Sequence, residues 1–388
     1  MSATINLDLF KAYFEGAPVI SVPGRLFPIE LKYRPIVDQA AEDPDTKKKD
    51  HKINPEPFLQ VLELIDKEVP TTERGDALIF LNGVAEIETV AETLKTYAEL
   101  TKGWIVLLLH STLSVEDQDR VFDVAPQGVR KVILATNIAE TSVTIDGIRF
   151  VIDSGKVNHV TYDPETRMQR LAQFWVSRAA ADQRKGRAGR TGPGICYRLY
   201  SRAQYDAMQP FTVAEMQRVS LQHLCLQMLA MNLGLDPRTF EFIEPPSTEA
   251  MDEAIEALRS QGIVHPDRPN QLTALGHKAA RLPVEVPIAR MLVLGCVLGM
   301  SEQMLTIAAG LSVQSPIAGR NANRDLDTVK RREPMANPLG DPFTLLNIFR
   351  EWVLIRARGE STRKWTREMG VDEHRLYEIA KLRNQYRS

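Results

Sequence analysis

Gln183-Arg184-Lys185-Gly186-Arg187-Ala188-Gly189-Arg190, followed by Thr191-Gly192-Pro193-Gly194, concentrates more potential chemistry than any other stretch of this 388-residue chain. Four basic residues interleaved with small ones make a poor core helix. Glycines let a backbone approach a ligand closely, and arginines present planar donor forks matched to phosphate. A solvated basic helix end is the competing reading. A second cluster, Ala135-Thr136-Asn137-Ile138-Ala139-Glu140-Thr141-Ser142-Val143-Thr144-Ile145-Asp146-Gly147, places seven polar residues directly after an apolar run. The carboxyl edge of an open α/β sheet is where such folds bind ligands, and capping of a following helix would account for only some of these side chains.

The elements that must position these clusters are readable from periodicity. Short apolar runs at Asp76-ALIFL, Trp104-IVLLL, Lys131-VILAT and Arg149-FVID alternate with helical segments at Val84 to Leu100 and Val115 to Val121. This alternation predicts a parallel sheet covered on both faces, an α/β fold. Upstream, Leu7 to Phe14 suits a short helix, and Pro18, Pro23 and Pro28 predict an extended connector. Asp38 to Asn54 reads as a solvated loop. Lys156 to Leu171 reads as a hairpin turning at Asp163-Pro164-Glu165.

Beyond Tyr200 the strand signal fades. Ser220 to Met231 and Glu249 to Gln261 are helical by periodicity, and the turn Pro245-Pro246-Ser247-Thr248 caps the second. QGIV and NQLTALG suggest a small β-wing, so this order resembles a winged helix. Pro287 to Leu311 reads as two apolar helices broken at Gly299-Met300-Ser301. Asn321 to Gly340 reads as a loop or linker, before helices at Asp341 to Arg358 and Asp372 to Tyr386.

Lys plus Arg number 48 against 50 Asp plus Glu, a formal charge of −2, so nucleic-acid binding would need local patches rather than a global field. Cys196, Cys225 and Cys296 are too widely spaced for a CxxC metal site or a disulfide framework, which suggests a reducing compartment. The N-terminus has no signal-peptide pattern, and Met291 to Met300 is too short to span a bilayer. An intracellular, soluble protein without a membrane role is expected, with the cytoplasm favoured over the nucleus.

Taken together the motifs resemble the DEAH-box ATP-dependent RNA helicases. QRKGRAGR is similar to helicase motif VI and ATNIAETSVTIDG to motif V. LIFLNG (Leu78 to Gly83) resembles motif IV, and LLHSTLSVEDQDRVFDVAP the segment that follows it. VPGRLFPIE, RLYSRAQYDAM, FIEPPSTEAMDEAIEALRSQGIV, LTALGHKAARLPVEV, MLTIAAGLSVQSP and GDPFTLLNIFREW extend the likeness over essentially the whole chain. RKWTREMGVDEHRLYEIAKLRNQ and IRFVIDSGKV look most like the member associated with nonsense-mediated mRNA decay.

The resemblance implies a C-terminal portion of such an enzyme. Residues 1–25 would be the tail of a first RecA-like domain with its connector, 26–202 a second RecA-like domain, 203–275 a winged helix, and 276–388 an α-helical ratchet domain that stops before the usual oligonucleotide-binding fold. Met1-Ser2-Ala3-Thr4 looks like motif III, with Ser2 and Thr4 in a coupling role. No GxxxxGK[ST] phosphate loop occurs in the sequence, and the string Asp372-Glu373-His374 lacks the preceding apolar strand of an Mg²⁺ site. A shortened start is therefore expected, with the metal ligands in a preceding first RecA-like domain.

By motif position Arg187 and Arg190 would be arginine fingers facing the β- and γ-phosphates, and Gln183 would position the attacking water or the γ-phosphate. Asp146 would bond the ribose, Phe122 would stack on the base unless it is simply a buried core residue, and Ser142 would sense nucleotide state. Thr136 and Asn137 would hold RNA backbone, as would Gly83 and Ser111. The hairpin Val157 to Leu171 would act as a strand-separation wedge, with Lys156 and Arg167 either on phosphates or solvated. The implied reaction is hydrolysis of ATP or another NTP with Mg²⁺, coupled to 3′-to-5′ movement on single-stranded RNA by a monomer. A protein activator or mRNA-decay factors would be further partners. Alone, the chain is expected to be inactive; a non-catalytic RNA- or protein-binding module on the same fold is the rival.

Overall fold

The computed structural model describes residues 6–22, 27–36, 53–70, 73–141, 144–163, 166, 168–231, 236–268, 270–317 and 326–387. They divide into two compact units, Met1–Val219 and Ser220–Ser388. Ser2, Thr4, Ser142, Arg167 and most of the loop expected from Asp38 lie outside the described residues.

The first unit runs α1 (Leu7–Tyr13), β1 (Ile29–Tyr33), α2 (Glu56–Glu68), β2 (Asp76–Phe80), α3 (Val84–Thr101), β3 (Trp104–Leu109), α4 (Val115–Asp119), β4 (Arg130–Ala135), α5 (Ile138–Thr141), β5 (Ile148–Asp153), β6 (Lys156–Asp163), β7 (Met168–Trp175), α6 (Arg178–Gly186), β8 (Gly194–Arg198) and α7 (Arg202–Ala207). Six strands form one parallel sheet in the order β1-β8-β5-β2-β4-β3. Side chains alternate between its faces as the pleat requires. Ala77, Ile79 and Leu81 join α2 and α3 in one core, whereas Leu78 and Phe80 join Val121, Ala139, Ile145 and Ala188 in the other. The second core is the important one, because its lid is made of the two polar clusters.

Two strands escape sequence reading. The connector expected after Pro18 becomes, from Ile29, an edge strand paired with β8. Pro28 sits just before it, where a missing N–H costs no ladder bond. β8 itself hides behind Cys196, Tyr197 and Arg198, which are polar enough to blur a five-residue run.

The hairpin is longer than expected, from Lys156 to Trp175, with Asp163 opposite Met168. Its second arm leaves Met168, Leu171, Phe174 and Trp175 exposed. Residues 203–219, expected with the winged helix, pack on the first unit. Tyr205 Oη donates to Asp182 at 3.0 Å, and Tyr162 N–H donates to the Arg218 carbonyl at 2.7 Å.

The second unit is helical: α8 (Gln222–Ala230), α9 (Thr248–Ser260), α10 (Ala274–Ala279), α11 (Val286–Val297), α12 (Ser301–Ser312), α13 (Leu326–Arg332), α14 (Asp341–Ala357), α15 (Thr362–Met369) and α16 (Glu373–Arg387). Ser247 caps α9 by accepting from Ala250 N–H at 3.1 Å. The wing after α9 is a single antiparallel bridge, Val264 to Leu272. The stretch expected as linker before Gly340 contains α13. Trp352, Ile348, Leu376 and Ile379 centre the core of α12, α14 and α16. Among the described residues no helix is long and apolar enough to cross a membrane.

Candidate functional site

Parallel strands sort the candidate residues into two edges. Gly83, Ser111, Thr136 and Asn137 follow β2, β3 and β4, which are neighbours in the sheet, so all four lie along its carboxyl edge. Ser111 and Asn137 are exposed, while Thr136 N–H donates to the Leu109 carbonyl at 3.3 Å. Gly83 opens α3 without a side-chain cap. Instead Glu86 accepts from Asn82 N–H at 3.1 Å and from Asn82 Nδ2 at 2.9 Å, which fixes the turn. A Cβ on Gly83 would stand 3.1 Å from Asn158 Nδ2, so the foot of the hairpin continues the row.

The amino edge carries a different site. A cleft of about 640 Å³ is lined by Arg74, Phe122, Lys131, Asp146, Arg149 and Thr191 among others. Phe122 ends the 3₁₀ turn Arg120–Phe122; Val121 beneath it is fully buried, and Phe122 itself is 50% exposed. That excludes the core-residue alternative for this side chain. Asp146 is exposed on the opposite wall, at a turn where Gly147 takes φ +84°, a left-handed value that favours glycine.

The polar cluster after β4 therefore does not sit at one edge, as expected, but crosses from one to the other. β4 ends at the carboxyl edge and β5 must start at the amino edge, with β2 between them, so the connection traverses the sheet. Six residues of strand separate its ends by about 20 Å.

α6 and the 3₁₀ turn Arg187–Gly189 run beside this crossover and hold it at successive points. Arg184, fully buried, donates to Glu140 Oε1 at 2.6 Å and to Asp153 Oδ1 at 2.8 Å, with its guanidinium 4.9 Å from the Phe80 ring centre. Burial opposes that charge, but Asp153 and Glu140 hold the guanidinium above its ordinary pKa. Arg187 donates through Nε to the Glu140 carbonyl at 2.9 Å, and its Nη2 reaches the same oxygen. Burial, with the charge of Arg190 beside it, pushes Arg187 down to about 10, still cationic at neutral pH. Arg190 is exposed and donates to Thr144 Oγ1 at 2.6 Å. Thr191 to Pro193 then enter the cleft.

Residues 60–192 match the helicase conserved C-terminal domain, and 285–345 match the ratchet-like helicase associated domain (HA2). The whole chain is 56% identical to the Probable ATP-dependent RNA helicase DHX34 of Mus musculus, covering 33% of that protein. The chain belongs to the DEAH-box RNA helicase family. The pre-mRNA-splicing factor ATP-dependent RNA helicase prp22 of Schizosaccharomyces pombe is 38% identical over 92% of this chain, which covers 29% of that protein. Among solved structures, the Escherichia coli DEAH/RHA helicase HrpB superposes with a TM-score of 0.71 at 29% identity, over 92% of this chain and 41% of that one. The chain thus spans about a third of the length of the DHX34 relatives it matches.

Within this DEAH-box family member, the structure brings Phe122 and Asp146 to one cleft and Thr136, Asn137, Gly83 and Ser111 to the opposite edge. Gln183, half-buried on α6, lies on the same helix as Arg184. Lys156, expected either on phosphate or solvated, holds its Nζ 3.2 Å from the Trp175 ring centre. Sequence reading assigned no role to Arg184, Glu140 and Asp153, which join the arginine helix to the crossover. It also passed over Asp76 and Lys131, buried beneath the cleft. The available signal was charge at the start of two otherwise apolar strands, Asp76 in β2 and Arg130-Lys131 in β4. Among the described residues no group of three or more His, Cys, Asp or Glu could hold a metal ion.

Proposed function

We propose that this chain supplies the base, ribose and arginine half of an NTP site, and one wall of a single-stranded RNA path, in an RNA helicase. The observation that carries the reading is the placement of Phe122 and Asp146 on one cleft, with arginine contacts at Glu140 and Thr144 on the connection toward the row at the other edge. The cleft fits a nucleoside: one aromatic face half in solvent, one free-standing carboxylate, and a glycine turn. Stacking without edge readout accepts any base, so ATP and the other common NTPs all suit it.

Arg187 and Arg190 would stabilise charge developing on the transferred phosphoryl group, and Gln183 would orient the attacking water. A bound nucleotide would bring Mg²⁺ to neutralise its phosphates, and the ligands of that ion would come from a phosphate-loop domain. At the carboxyl edge, Thr136, Asn137, Gly83 and Ser111 suit sugar and phosphate contacts, which fix register without reading sequence. Movement would be 3′ to 5′ on RNA, the hairpin acting as a separating wedge. Monomeric action, protein activators, a role in mRNA decay and a cytoplasmic setting complete the proposal.

The test is phosphate release by the purified chain with and without poly-U RNA. The 388 residues alone should bind single-stranded RNA weakly and lose it as salt rises, with no hydrolysis above background. Joined to a domain bearing a phosphate loop, the same residues should give RNA-stimulated hydrolysis. No stimulation in the joined protein would overturn the reading.

A further inference from the structure

A three-residue 3₁₀ turn has little stability of its own, so whatever holds the Arg120–Phe122 turn decides where Phe122 points. Lys131, the second residue of β4, does this from below. Its Nζ donates to the Val121 carbonyl at 2.7 Å and to the Asp123 carbonyl at 2.8 Å, one on each side of Phe122. The side chain is 5% exposed, and its counter-charge is Asp76, 4% exposed and 3.6 Å away. Asp76 also accepts from Lys131 N–H at 2.7 Å, and its own N–H donates to the Gly147 carbonyl at 2.9 Å. One buried ion pair thus reaches both walls of the cleft: the turn bearing Phe122 through Lys131, and the turn bearing Asp146 through Asp76.

We propose that Lys131 is a positioning residue for nucleoside binding, fixing the distance between Phe122 and Asp146 through its pair with Asp76. This rests on the nucleotide reading of the cleft. Burying a lysine and an aspartate at strand ends is costly, and a pair of apolar residues would serve packing at least as well. What the apolar pair could not do is donate to two backbone carbonyls flanking a single aromatic residue. With Lys131 replaced by an isostere lacking donors, those carbonyls lose their partner and the turn loosens, while the Asp146 turn keeps its bond to Asp76 N–H.

Saturation-transfer NMR with adenosine monophosphate on the 388-residue chain separates the two walls, because it reports weak binding proton by proton. In the parent, both adenine H8 and ribose H1′ should receive saturation. In Lys131→Met, with circular dichroism and melting showing retained fold, adenine saturation relative to ribose should fall about fivefold, as in Phe122→Ala, because stacking is what is lost. Lys131→Arg, which restores charge and donors, should recover most of the ratio. An unchanged ratio in Lys131→Met overturns the role of Lys131 and leaves the nucleotide reading standing. Absence of saturation in the parent overturns both. If Lys131→Met does not fold, Asp76→Asn is the second variant: a fall of about twofold in the same ratio is expected, and an unchanged ratio overturns the proposal.

Discussion

Arg184 and Glu140, 44 residues apart in sequence, meet at 2.6 Å inside the second core of the sheet. The contact ties α6, the helix that leads into the turn bearing Arg187, to the segment that begins with the proposed RNA contacts. Asp153 at the end of β5 completes the arrangement, itself accepting from Tyr200 Oη at 2.8 Å. A chain that needed only a stable core would fill this space with leucine.

Arg184→Met should therefore destabilise the first unit by about 3–5 kcal/mol, because Asp153 would remain buried with its charge uncompensated. Urea unfolding followed by tryptophan fluorescence measures this; a loss below about 1 kcal/mol would show that the network is dispensable.

Arg187→Ala and Arg190→Ala, each in a protein that also carries a phosphate-loop domain, should lower turnover by about 10³-fold or more while RNA affinity stays within about twofold. Both side chains hold the crossover, at the Glu140 carbonyl and at Thr144, and neither belongs to the row of proposed RNA contacts. Steady-state phosphate release and fluorescence anisotropy with labelled RNA decide the matter, and near-parental turnover in both variants would remove the finger assignment.

In the same protein, Phe122→Ala should raise KM for NTP by about fivefold and leave kcat nearly unchanged, since stacking on a base contributes to substrate and transition state alike. The parent should hydrolyse ATP, GTP, CTP and UTP with comparable efficiency. A strong preference for one base would point to an edge contact instead.

The hairpin should respond to acid. Burial, then the charges of Arg218 and Arg184, hold His159 below its ordinary value of 6.5, with Glu215 opposing. The unfolded chain therefore binds the proton at a higher pH than the folded one. The stabilising contribution is present above about pH 6.5 and is lost as pH falls through the lower folded value. His159→Gln should flatten the drop in melting temperature between pH 7 and pH 5, leaving the part due to His110, which burial lowers in the same way. An identical pH profile in the variant would exclude His159.

Much of this was legible in the sequence, for reasons that can be named. β2 and β4 announce themselves because Ala77 to Phe80 and Val132 to Ala135 are wholly apolar. α9 is legible through Ser247, and α11 and α12 through the break after Gly299. α13 was missed because Lys330, Arg331 and Arg332 make an amphipathic segment look like a linker. At the site, residue types sufficed to single out the arginine and polar clusters, but not to separate Thr136 from Asp146 by the length of a strand. Arg184 and Lys131 were invisible as buried groups, since composition marks charge as solvent-facing and only tertiary structure reveals the carboxylates that meet it.

Gly194 and Gly189 carry a mechanical consequence. A Cβ on Gly194 would stand 2.1 Å from the Ala188 carbonyl oxygen, and one on Gly189 would stand 2.9 Å from that of Phe27. The turn that bears Arg187 is laid backbone on backbone against the strands, with no cushion of side chains on which to slide. Such a turn cannot swing toward a phosphate as a flexible loop does. In the proposed site its arginines would reach a phosphate only as the entire sheet travels with them, so a ligand acting there would have to move the whole block rather than a loop.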